Sequence, residues 1–181
     1  MSVFIAIELP EKIKKNISKL QKTLEFTEQQ AKCNSSKEQH ITLKFLEDIV
    51  DSKLSQIIEA LKNVFFNKFN ANINTSASFA NESYMRVAWF IVEPEKDFRD
   101  LHNKIEKQLS FIKTKKEEIF IPHVTLARFK YVNDRNIVLE KIKSLKLKSE
   151  FTVDSFKLIK STLTQKGHVY EVLESFSAKS L

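Results

Sequence analysis

A chain of 181 residues with 42% apolar side chains is long enough to bury a core, as one ordinary domain or as two small lobes sharing it. One cysteine, Cys33, excludes an intrachain disulfide and any multi-cysteine metal site, and reads as an ordinary thiol; one glycine, Gly167, excludes a glycine-rich phosphate loop. The formal charge of +7 permits a polyanionic partner such as nucleic acid without requiring one.

The N-terminal run MSVFIAIELPEKIKK is too short in its apolar part for a signal peptide, and no later run reaches membrane-span length. A soluble, cytoplasmic protein is expected, and nothing in the sequence requires more than a monomer. Alternation predicts a first strand from Ser2 to Leu9, after which Pro10 and Glu11 open a helix carrying Ile13, Ile17, Leu20 and Leu24. The polar stretch KCNSSKEQ precedes a strand from His40 to Leu46. Asp51 is the expected N-cap of a second helix bearing Leu54, Ile57, Ile58, Leu61 and Phe65.

The segments ANINTSASFA and YMRVAWFIVEP read as a strand pair, the second apolar on both faces and therefore central. A third helix follows Pro94, with Phe98, Leu101, Ile105, Leu109 and Ile112 on one stripe. IFIPHVTLARF reads as a strand, and a fourth, weaker helix is expected from about Asp134 to Leu145. Two closing strands, FTVDSFKLIKSTL and HVYEVLESFS, meet at a turn containing Gly167. No linker or composition break divides the chain, so residues 1–181 read as a single domain made of two similar halves.

Each half contains a strand of the form His-x-Thr-Leu: HITL at His40 and HVTL at His123, 83 residues further on. With nine threonines in the chain, two of four histidines have Thr at the second following position by chance with odds of roughly 0.015. Requiring Leu next in both multiplies that by about 0.01. Strand alternation puts Ile41, Leu43 and Phe45 on one face and His40, Thr42 and Lys44 on the other; Val124 and Leu126 likewise oppose His123, Thr125 and Ala127. A bland reading, two tolerated histidines in core strands of a duplicated fold, sits poorly with that alternation.

If the halves pack as pseudo-symmetric mates, two imidazoles and two hydroxyls face one another across a cleft. That set suits a phosphodiester: one neutral imidazole takes a proton from the attacking oxygen, the other, protonated, gives one to the leaving oxygen, and the threonines hold the non-bridging oxygens. Histidine titrates near neutrality, so both forms can coexist. Chemistry of this kind needs no metal and no cofactor, and two histidines from distant strands supply only two ligands of the four a metal such as zinc requires.

At these residues the chain resembles the 2H phosphoesterase superfamily, specifically the LigT-like RNA 2',3'-cyclic phosphodiesterases, once called 2'-5' RNA ligases. SVFIAIELPEKIKKNISKLQ is similar to the family's opening, HITLKFLEDI and PHVTLARF to its two signature motifs, and STLTQKGHVYEVL to its closing hairpin. The resemblance implies an α+β, bilobal pseudo-symmetric fold with two antiparallel sheets lining a central cleft and helices outside. It implies hydrolysis of RNA 2',3'-cyclic phosphate ends to 2'-phosphates, with His40 as proton donor and His123 as base, and Thr42 and Thr125 on the phosphate. Spacing alone does not rank the two histidines.

Arg128 matches the arginine that often ends the second motif, and a guanidinium suits phosphate. Strict alternation sets it opposite His123 unless a bulge re-aims it. Lys44 falls on the catalytic face by alternation. His102, on a helix, and His168, beside the turn, read as surface residues, while Phe45, Phe129 and Tyr170 stay undecided between core and base stacking. The chain departs from the family at Glu47, where glycine is usual, and in KCNSSKEQ, which lacks the usual proline. Two further readings stay open: a 5'-hydroxyl in place of water would give 2'-5' ligation, and a non-catalytic RNA or nucleotide binder could keep the same fold.

Overall fold

The computed structural model describes residues 2–47, 49–113, 119–165 and 167–180. In chain order they form β1 (Ser2–Glu8), α1 (Glu11–Lys22), β2 (Ala31–Cys33), a 3-10 turn (Ser36–Glu38), β3 (His40–Leu46), α2 (Asp51–Lys62), β4 (Phe69–Ser76) and β5 (Ser78–Phe79). Then come β6 (Val87–Ile91), α3 (Glu95–Gln108), β7 (His123–Phe129), α4 (Arg135–Ser144), β8 (Lys146–Val153), β9 (Ser155–Thr164) and β10 (Gly167–Ser177). The 83-residue echo of the two motifs extends well beyond them: the order β1, proline, α1, β3, α2 recurs as β6, proline, α3, β7, α4.

Both leading helices start for the same physical reason. Pro10 and Pro94 hold extended backbone at the cap position, and acidic residues in the first turn with lysines in the last suit the helix dipole. Ile13 and Ile17 of α1 and Phe98, Leu101 and Ile105 of α3 form the buried stripes. α4 is capped by Asp134, whose side chain accepts from the Ile137 N–H at 3.0 Å. In α2 the expected cap is displaced: Asp51 is the first helical residue, and Val50 occupies the cap position without a side-chain bond.

Two antiparallel four-stranded sheets, ordered β10-β9-β1-β3 and β2-β7-β6-β5, give the expected α+β architecture. A third, two-stranded sheet pairs β4 with β8, so the expected pairing of ANINTSASFA with YMRVAWFIVEP holds in part: Ser78 and Phe79 of β5 pair with Trp89 and Ala88 of β6, and Asn72 of β4 bridges Glu93. Apart from that bridge β4 pairs along its length with β8, its Ala71 and Ile73 buried in the core with Leu147, Phe151 and Val153 of β8. Tyr84 to Arg86 leave the strand for a turn in which the Tyr84 and Met85 N–H groups both bond to the Asn81 carbonyl. FTVDSFKLIKSTL splits at Asp154 into the end of β8 and all but the last residue of β9, and KCNSSKEQ contains part of β2.

One continuous core joins Val3, Ile5 and Ile7 of β1, Ile41 and Leu43 of β3, Phe90 of β6, and Val124 and Leu126 of β7 to the helices. Each such fully buried aliphatic or aromatic side chain contributes about 1.5–3 kcal/mol. A second small cluster, Phe4, Ala6 and Ile159 with Tyr170 packed on it, covers the opposite face of the first sheet. β1 is therefore apolar on both faces, and its second face is where the cleft begins.

Candidate active site

The two motif strands share a feature that alternation cannot express. Along β3, Thr42 pairs with Ala6 and Lys44 with Ile5, so Leu43 is an extra residue with no partner on β1. Along β7, Thr125 pairs with Trp89 and Ala127 with Ala88, so Leu126 is the extra residue. Each His-x-Thr-Leu sequence thus ends in a β-bulge at its leucine, and beyond a bulge the side chains exchange faces.

The exchange corrects the face assignments of Lys44, Phe45 and Ala127, the last being fully buried in the core, and it supplies the bulge on which the cleft position of Arg128 depended. Lys44 turns away from the cleft, is only 5% exposed, and pairs with Glu106 of α3. Phe45 turns into the cleft and is 49% exposed. Arg128 is re-aimed from behind His123 to the cleft side, where it lines the same space as the two histidines. Phe45 and Arg128 stand five residues after their respective histidines, so they are counterparts in the two halves.

Each bulge carbonyl is held by a helix from the other half. His102 of α3 is bonded through Nδ1 to the Leu43 carbonyl at 2.7 Å, which requires the proton on Nδ1. Gln21 of α1 donates from Nε2 to the Leu126 carbonyl at 2.8 Å and to the Asn34 carbonyl at 2.7 Å; the Asn34 N–H also reaches Leu126. His102 is accordingly buried, stacked on Phe120 with ring centroids 4.3 Å apart, and is not the surface residue its helical position suggested.

A cleft of about 710 Å³ opens between the sheets, within the range of small-molecule sites, and His40, Thr42, His123 and Thr125 all line it. The imidazoles sit in unequal surroundings. His40 packs against the Phe4 ring at 4.8 Å and the Tyr170 ring at 5.7 Å. Burial pushes it down to about 4; Glu38 pulls the other way, while His123, Lys14 and Arg128 add to the depression.

His123 lies beside Trp89 at 4.4 Å and is bonded through Nδ1 to the Ile121 carbonyl at 2.8 Å. A carbonyl only accepts, so Nδ1 carries the proton and Nε2 keeps its lone pair. Burial lowers His123 below the usual histidine value, partly offset by that hydrogen bond. Glu38 is held at the cleft by the Ser35 N–H, at 2.8 Å, and by Lys32, at 3.6 Å. Burial opposes its charge, but the Ser35 hydrogen bonds and Lys32 outweigh that and keep the carboxyl below its ordinary range.

Of the undecided aromatics, Phe129 belongs to the core, whereas Phe45 and Tyr170 line the cleft. His168 is exposed, as expected, yet also borders the cleft, with Nδ1 3.0 Å from the Ser161 hydroxyl. Alternation missed Trp89, Glu38 and Lys32. Trp89 was hidden in an all-apolar strand, and the other two in a polar stretch with no period. Among the described residues no group of three or more His, Cys, Asp and Glu is placed to hold a metal ion, and no helix is long and apolar enough to cross a membrane.

A sequence profile described as the 2'-5' RNA ligase superfamily matches residues 9–165. A Methanocaldococcus jannaschii protein named RNA 2',3'-cyclic phosphodiesterase is 31% identical over 178 residues, 97% of this chain and 100% of its own. The crystal structure of TT0787 of Thermus thermophilus is similar with a TM-score of 0.84 at 27% identity, covering 99% of each chain. E. coli LigT, crystallised with 3'-AMP, is similar in fold with a TM-score of 0.77 at 21% identity, covering 97% of each chain.

Proposed function

This chain belongs to the 2'-5' RNA ligase superfamily, and we propose that it hydrolyses RNA 2',3'-cyclic phosphate ends to 2'-phosphates with His40 and His123 as acid and base. The observation that carries the assignment of roles is the His123 hydrogen bond to Ile121, which leaves Nε2 as the acceptor available in the cleft. Water attacks phosphorus, its proton passes to His123 Nε2, the bond from phosphorus to the 3' oxygen breaks, and His40 gives that oxygen its proton. The product is the 2'-phosphate; proton exchange with solvent resets both rings.

Thr42 and Thr125 hold the non-bridging oxygens from opposite walls, where donors aimed at developing charge act at low dielectric. A donor must carry a proton, yet burial favours neutral His40. The anionic phosphate resolves this: placed beside the ring, it replaces the missing counter-charge and raises His40 when the acid is needed. Substrate binding and protonation of His40 are then linked. The protein acts as a monomer on the RNA end, and the fold from 1 to 181 works as one domain.

The decisive assay follows turnover of nucleoside 2',3'-cyclic phosphates by wild type and His40→Ala, separating 2'- from 3'-phosphate products. Formation of the 2'-phosphate by wild type alone is the expected result. Binding without turnover would identify a nucleotide-binding protein of this fold, and a 3'-phosphate product would reverse the regiochemistry.

A further inference from the structure

Two cations stand together in the cleft beyond the four motif residues. Lys32 of β2 and Arg128 of β7 are register partners across the sheet, and both line the cleft. The bulge at Leu126 makes this possible, since it turns Arg128 onto the face that Lys32 shares. β2 has only three residues, but the bulge carbonyl holds it in place through the Asn34 N–H at 3.1 Å, and Gln21 ties the two together.

On β6, Thr125 pairs with Trp89 and Arg128 with Val87, so the cation pair lies two strand positions, about 7 Å, beyond the threonine. That displacement is on the scale of one nucleotide step. Two imidazoles and two hydroxyls already surround the place for the reacting phosphate. We propose that Lys32 and Arg128 bind a second phosphate, the one on the 5' oxygen of the terminal nucleoside, an inference that rests on the proposed function.

The groups have donors to spare. Lys32 is 57% exposed at its side chain, and its ion pair with Glu38 occupies one of three N–H donors. Arg128 makes no ion pair among the described residues and offers a planar fork to phosphate oxygens. The Glu38 carboxylate also faces this space and lowers its positive charge, so the site accepts a phosphate mainly through directed hydrogen bonds. At the mouth, the hairpin tip overhangs the site: a Cβ on Gly167 would lie 3.7 Å from Lys32 Nζ.

The same chemistry has two sources, the linkage to the preceding nucleotide and a 5'-phosphate monoester. The test compares kcat/KM for adenosine 2',3'-cyclic phosphate, its 5'-phosphorylated form and the adenylyl dinucleotide 2',3'-cyclic phosphate, in wild type, Lys32→Gln and Lys32→Arg. Wild type should favour a 5'-phosphate-bearing substrate about tenfold, as expected of a charge-assisted contact. Lys32→Gln should bring the ratio to within about twofold, and Lys32→Arg should retain it.

A gain with both phosphorylated substrates identifies the chain linkage as the ligand; a gain confined to the monoester identifies the terminal phosphate. A wild-type ratio near one, or a gain that survives Lys32→Gln, overturns the proposal while leaving hydrolysis intact. If no substrate is hydrolysed, the proposed function fails instead. The subsite is then decided by calorimetric binding of adenosine 5'-phosphate against adenosine: a tenfold preference lost in Lys32→Gln supports it, and equal binding overturns it.

Discussion

β3 and β7 carry the same backbone device and put it to different uses. In both, a histidine and a threonine face the cleft, a leucine bulges, and the bulge carbonyl is held by a side chain from the other half. The surroundings then diverge. His40 is enclosed by aromatic rings, whereas His123 is oriented by a backbone carbonyl; five residues on, one strand presents Phe45 and the other Arg128. Duplicated geometry supplies two alike positions, and the environment around each makes the two imidazoles unequal and sets an apolar wall against a cationic one.

The most severe way to break this comparison is to remove each imidazole in turn. His40→Ala and His123→Ala should each lower kcat on a 2',3'-cyclic phosphate by about 10²–10⁴, with the fold retained by circular dichroism. What separates them is the leaving group. A phosphodiester with a good leaving group, such as p-nitrophenolate, needs no proton, so it should recover most of the lost rate in His40→Ala and little in His123→Ala. Equal recovery in both variants would mean that the rings are not differentiated.

Folding stability probes the same asymmetry without substrate. Burial holds His40 at about 4 in the folded chain against 6.5 for the unperturbed ring, so the unfolded chain takes up the proton first as pH falls. Stability is therefore lost between pH 6.5 and about 4, by up to about 3 kcal/mol for this group. His123, lowered by burial, adds a contribution of the same sign. Urea unfolding across that window should show a shallower dependence in His40→Gln than in wild type. Identical slopes would show that the aromatic enclosure does not hold His40 neutral.

Much of this was legible in the sequence, because it obeys period two or 3.6. The four helices and the two motif strands follow from alternation and helical stripes, and the convergence of His40, Thr42, His123 and Thr125 from the further premise that the two halves pack face to face. The bulges were not legible, since Leu43 and Leu126 look like any apolar strand residue; what marks them is a carbonyl held from 59 and 105 residues away. Strict alternation failed downstream of them for that one reason: Lys44, Phe45 and Ala127 reversed, and Arg128 reaches the cleft by the re-aiming that a bulge alone provides. His102 was misread because a helical histidine shows its partner only once α3 lies against β3.

The clamps can be tested separately from the chemistry they position. His102→Ala strips the Leu43 carbonyl of a buried donor and removes the ring stacked on Phe120, which should cost about 1–3 kcal/mol of stability. With the bulge released, His40 and Thr42 lose alignment, and kcat should fall about tenfold with KM little changed. Gln21→Ala should cost less, since the Leu126 carbonyl keeps the Asn34 N–H. A raised KM with unchanged kcat in His102→Ala would make the clamp a support of the cleft wall and not of the histidine.

The smallest expected effects lie at the pair that distinguishes the walls. Arg128→Gln should raise KM for an oligonucleotide cyclic phosphate about fivefold at low salt, and the difference should shrink as salt rises, since phosphate contacts are screened. Phe45→Ala should weaken binding by a similar factor, near the lower end of what a stacked base is worth, about 1 kcal/mol. Its effect should persist at high salt and vary with the terminal base, because stacking depends on the base's face and not on ions. Steady-state kinetics at two salt concentrations and with purine and pyrimidine ends separate the two responses. If both variants showed the same salt dependence, the exchange of faces at the bulges would have placed two side chains in the cleft without dividing their work.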